Sequence, residues 1–74
     1  MSVSIPKAIK IATKAVSMPY KAGAYSYIFY APFDELDGPS TEIRSNSWPM
    51  ALAMRKRQII MIAAKLVYGE DYPV

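Results

Sequence analysis

Three carboxylates, Asp34, Glu35 and Asp37, crowd one short stretch, and Glu42 follows a few residues later. A carboxylate pair can divide general-acid and general-base work, but only where its surroundings drive the two pKa values apart. Beside Gly38 and Pro39 these acids read as a solvated turn. Their grouping around Gly38 also suggests calcium, yet they lack the alternate ligands that an EF-hand sets ahead of its glycine. The chain has no histidine and no cysteine. The commonest general base near neutral pH and the commonest strong nucleophile are therefore missing, together with disulfides and thiolate metal sites. Gly23, Gly38 and Gly69 are isolated, so no glycine-rich loop can cradle a phosphate. The expectation is a protein that is not an enzyme, with no catalytic residue, cofactor or metal.

Two other chemistries are open to this sequence. The first is phosphate contact from lysine and arginine. Lys7, Lys10 and Lys14 fall on one side of a helix at 100° per residue, and Lys21 follows them. Arg55-Lys56-Arg57 forms a basic collar around a second helix. Three consecutive residues cannot share one helix face, and at best one or two of them can meet one groove; Arg55 and Arg57 are the nucleic-acid candidates named from that triplet. Tyr25 and Tyr27 would add base stacking. The stretch Tyr25-Ser26-Tyr27-Ile28-Phe29-Tyr30 resembles the central strand of RNA-recognition motifs, where aromatics that stack on bases alternate with small and aliphatic residues. That resemblance covers about seven residues of 74, and only 24 residues precede the stretch. This is too few for the strand, helix and strand that come first in such a domain. Gly23-Ala24 also stands where that family carries Lys/Arg-Gly. The chain is not read as a member.

The second chemistry is apolar contact. On the second helix Leu52, Ile59, Ala63 and Leu66 form one apolar stripe, while Met50, Met54, Met61 and Tyr68 form another on a different side. Two stripes require burial on two sides, and methionine suits adaptable contact surfaces. Met50, Met54, Met61, Tyr68 and Trp48 are therefore the protein-interface candidates. A partner protein or a homo-oligomer is the expected occupant, with nucleic acid as the alternative partner.

The elements that must carry these residues can be read from pattern and punctuation. Ser4-Ile5-Pro6 opens a first helix over about residues 4–17, capped by serine with proline in its first turn. Ile5, Ile9, Ala12 and Val16 share one sector of it, opposite the lysines. A strand is expected over about 24–31, ended by Pro32, and a short strand over about 40–45 returns as a hairpin. A second helix over about 48–68 starts from the Ser45-Asn46-Ser47 caps and stops at Gly69. Residues 69–74 read as a loose tail. The fold class is α+β, a single small domain with two helices packed on a two-stranded hairpin, in the order α-β-β-α. At 74 residues, 53% hydrophobic and 20% charged, one core is barely enough. The formal charge of +3 hides blocks: four positive charges in 1–33, four negative in 34–43, five positive in 44–65 and two negative after that. No run approaches the roughly 20 apolar residues of a membrane span. Lysines interrupt what would be the core of a secretory signal, so a cytoplasmic location is expected.

Overall fold

A computed structural model describes residues 3–32, 36 and 38–69. Asp34, Glu35 and Asp37 of the acidic turn, and the expected tail beyond Gly69, lie outside the described residues. Five elements follow one another: α1 (Ile5–Ala15), β1 (Tyr20–Lys21), β2 (Tyr27–Pro32), β3 (Ser40–Ser45) and α2 (Trp48–Tyr68). The class is α+β, but the sheet has three antiparallel strands in the order β1-β2-β3 instead of the expected two. A strand of two residues cannot display a period-two pattern, and Pro19 stands immediately before it. Its pairing with β2 is held by a turn in which Ala22 N–H donates to the Ser26 carbonyl at 2.9 Å.

Pro32 does not end β2 early; it is the last paired residue, opposite Ser40. The alternation of an antiparallel ladder explains why this is tolerated. Tyr30 turns its backbone N–H and C=O toward the β1 side, where both meet Ser17. Pro32, two residues on, directs its missing donor to the same side. There β1 has already ended, so no ladder bond is lost.

The pleat sends Tyr27, Phe29 and Ala31 toward the helices and Ile28 and Tyr30 away from them. Phe29 and Ala31 join Ala8, Ala12, Val16, Ile59 and Ala63 in the core, with Ile43, Met54, Ile62 and Leu66 packed around them. Helix α2 is the central element, touching α1 on one side and β2 and β3 on the other. Its 21 residues span about 30 Å. The Ser47 hydroxyl caps it by accepting from Met50 N–H at 3.3 Å. Ser4 occupies the equivalent position of α1, but its side chain makes no capping bond.

The buried side of α1 departs from the expected stripe. Ala8 and Ala12 are its fully buried centre, whereas Ile5 and Ile9 remain 57% and 48% exposed. The apolar arc of this helix is broad, and α2 approaches it where the side chains are shortest. Leu52 of α2 is likewise exposed, while Ile59 and Ala63 are buried.

Enlarging the alanine seam should therefore cost more than trimming the exposed isoleucine. Ala12→Leu is expected to destabilise the chain by about 1–3 kcal/mol through overpacking, and Ile9→Ala by less than about 0.5 kcal/mol. Urea denaturation followed by circular dichroism reads both, and a larger loss for Ile9→Ala would refute the seam.

Candidate functional site

The methionine side of α2 leaves several large apolar side chains open to solvent. Positions 50, 54, 57, 61, 64 and 68 advance in alternating steps of four and three, the spacing of a helix face that meets another helix. Met50, Met61 and Tyr68 are 53%, 44% and 62% exposed along it. Arg57 is also exposed, Ala64 is half-buried, and Met54 is half-buried against the core. Arg57 and Ala64 complete this seam, and the four-three interval is the signal in the sequence that reveals them. Trp48, at the start of the helix, stands 39% exposed. It meets Tyr27 edge-to-face, with ring centroids 5.7 Å apart, a geometry that aromatic quadrupoles favour. Tyr27 is thus half-buried beneath the helix start.

Met61 also reaches the open end of the sheet. With Gln58 it lines a cleft of about 290 Å³ whose other walls are Ala31, Pro32, Thr41 and Ile43. The cleft lies between α2 and the β2–β3 ribbon and is mostly apolar in its side chains.

The basic collar divides into different roles. Arg55 turns inward and is half-buried. Its Nε donates to the Ser17 carbonyl at 3.0 Å, and its Nη2 donates to the carbonyls of Val16 at 3.4 Å and Thr13 at 3.5 Å. Thr13 lies in the last turn of α1, where carbonyls lack intrahelical partners and carry partial negative charge, and Val16 and Ser17 follow directly after the helix. Lys56 and Arg57 face solvent. Lys7, Lys10, Lys14 and Lys21 are exposed as well, and Tyr25, ahead of β2, is 82% exposed. The structure thus separates Arg55 and Tyr27, which are engaged internally, from the other nucleic-acid candidates, which stand in solvent.

The outer face of the sheet carries Tyr20, Ile28, Tyr30, Glu42 and Arg44. Ile28 is buried there, with Tyr20 and Arg44 as its cross-strand neighbours. Arg44 Nη2 and Glu42 Oε2 form a 3.0 Å ion pair along β3, on side chains 60% and 41% exposed. The Tyr30 hydroxyl is held above the ordinary tyrosine value. The main cause is the polar and charged influence of the neighbouring Tyr20 hydroxyl, followed by desolvation and by Glu42 opposite.

Among the described residues no three histidines, cysteines, aspartates or glutamates gather where they could hold a metal ion, and none of the described helices is long and apolar enough to cross a membrane. Compared with protein-family models, curated proteins and solved structures, the chain matches none.

Two measurements test these assignments. Arg55→Ala should cost about 1–3 kcal/mol, because it strands carbonyls beside a half-buried helix end. Arg57→Ala should stay within about 0.5 kcal/mol. Equal losses in thermal or urea unfolding would remove the special role of Arg55. For Tyr30, a raised value means that the folded chain favours the neutral hydroxyl. Its contribution to stability is whole below pH about 10 and is lost as pH climbs through the raised value. Ring-carbon NMR should show the Tyr30 midpoint falling in Tyr20→Phe; an unmoved midpoint would eliminate Tyr20 as the cause.

Proposed function

We propose that the chain acts by binding, without chemistry of its own, as a small protein-interaction module. It docks on a partner protein or on a second copy through the methionine side of α2. The observation that carries this reading is the exposure of Met50, Met61 and Tyr68 at helix-meeting intervals, with Trp48 exposed at the start of the same helix. Isolated apolar residues on a surface are ordinary, but several large ones recurring along one helix side favour a contact surface. Unbranched thioether side chains also adapt to a facing surface at low cost. The lack of histidine and cysteine supports the non-enzymatic half of the reading.

A second reading, nucleic-acid binding, draws on the exposed Lys7, Lys10, Lys14 and Lys21 with Tyr25 nearby in sequence. It is weakened by the internal engagement of Arg55 and Tyr27, which leaves fewer groups for phosphate and base.

A photo-crosslinking side chain separates the two readings in cells that make the protein. Placed at position 61, it is expected to yield a discrete protein adduct, while at position 10 it yields none. In vitro the apolar contact should persist at high salt and fail in Met50→Glu/Met61→Glu. Phosphate binding, by contrast, weakens steeply with salt and would be abolished in Lys10→Glu/Lys14→Glu. A nucleic-acid adduct at position 10 with nothing at position 61 would overturn the interaction module in favour of the second reading.

A further inference from the structure

The two edges of the sheet are finished differently. β1 is two residues long and follows a buried proline, and Ser17 carries its side of the ladder onward to Tyr30. The other edge, β3, is six residues, Ser40-Thr41-Glu42-Ile43-Arg44-Ser45, paired without a bulge along its whole length. It contains none of the prolines or lysines that commonly blunt an exposed edge.

The register tells which backbone groups that edge presents. Since Tyr30 bonds toward β1, it is Tyr27, Phe29 and Ala31 that bond toward β3, through Ser45, Ile43 and Thr41. Glu42 and Arg44 consequently direct their N–H and C=O groups outward. No described residue donates to or accepts from these outward groups.

Charge then decides how a second strand can lie there. An antiparallel pairing about a two-fold axis centred on Glu42 sets Glu42 against its own copy. Centred on Arg44, it sets Arg44 against Arg44. Centred on Ile43, it places each Glu42 opposite Arg44 of the second copy. The alternating charges then extend the ion pair already present within each strand. A shift by one residue would turn the helix-facing side chains outward. Of these registers the Ile43-centred one satisfies backbone and face and is the one that sets opposite charges against each other. It also sets Ile43, which lines the cleft beside this edge, against Ile43 of the other copy and Thr41 against Ser45 of the other copy.

We infer that β3 is a homodimer edge: two copies join through antiparallel β3 strands centred on Ile43, forming one six-stranded sheet with Ile43 on the axis and one cleft on either side of it. The inference rests on the self-association form of the function proposed above. It specifies the strand and register through which that self-association would run.

The test uses the full chain and two single variants, Glu42→Arg and Arg44→Glu, weighed by light scattering. The parent should approach twice its 8.3 kDa mass as concentration rises. Each variant alone, with like charges facing across the axis, should dimerise roughly tenfold more weakly or worse. An equimolar mixture of the two should recover a one-to-one dimer, because the arginine introduced in one variant then meets the glutamate introduced in the other. Mixing cannot repair an intrachain pair, so this recovery is specific to the interface. Amide hydrogen exchange adds a second readout: the outward amides of positions 42 and 44 should be protected in the parent dimer and in the mixture, and exposed in each variant alone. A mixture that stays monomeric overturns the register. If the parent dimer survives both charge variants but is lost in Met61→Glu, the strand edge falls and the methionine reading stands. A parent that remains monomeric at millimolar concentration overturns the homodimer, and a crosslink from position 61 to a different protein then leaves the module intact.

Discussion

The contact on which the architecture turns is a single guanidinium. Arg55 leaves the middle of α2 and meets the carbonyls of Thr13, Val16 and Ser17 where α1 ends. That helix has no glycine to close its last turn; Val16 passes straight into extended backbone. The chain then enters the sheet at once, with Ser17 N–H donating to the Tyr30 carbonyl and Ser17 Oγ accepting from Tyr30 N–H. Both helices and the sheet therefore converge on two residues, Val16 and Ser17. A cation is the suitable partner there, since the end of a helix gathers unsatisfied carbonyls and partial negative charge. Arginine is also suited by shape, because its planar fork reaches several acceptors from one position.

Around this junction the core is built mainly from small residues. Ala8, Ala12, Ala31, Ala51 and Ala63 are buried, and Phe29 is the one large side chain fully enclosed among the described residues. Alanine faces allow α1 and α2 to lie close together, but they remove little apolar area from water per residue. The larger aliphatic side chains are pushed to the margins: Ile5, Ile9, Leu52, Ile60, Met50 and Met61 all stay exposed. A chain that is 53% hydrophobic thus places much of that character outside its own core. This links the packing of the helices to the reading of the protein as an interaction module.

Much of this is legible in the sequence, and the remainder is hidden for definable reasons. Serine and proline at the starts, Gly69 at the end and the run of strong helix formers mark both helices; alternating aromatics mark β2. The strand β1 is invisible because Tyr20-Lys21 is too short to show a period and is flanked by proline and turn residues. The centre of the α1 face is misplaced by pattern because large residues dominate any hydrophobic reading, whereas contact geometry selects Ala8 and Ala12. Arg55 looks identical to its neighbours Lys56 and Arg57; only the position of the α1 terminus distinguishes it. The methionine side is legible as a second stripe. The pairing value of Glu42 and Arg44 depends on which backbone groups face outward, a property of register that no residue type announces.

The reach of Arg55 has a further meaning for how the chain assembles. Its acceptors lie 38, 39 and 42 residues upstream, so almost everything that encloses α1 is made after it. During synthesis α1 emerges with its alanine face and terminal carbonyls uncovered, while β2 and β3 can already pair locally. An 11-residue helix is marginal on its own in water. Its persistence therefore waits on closure of the longest loop in the fold, a step whose entropy is spent before its contacts form. The order of synthesis runs from α1 to α2, and the order of consolidation is expected to run the other way, with the first helix made being the last to become fixed.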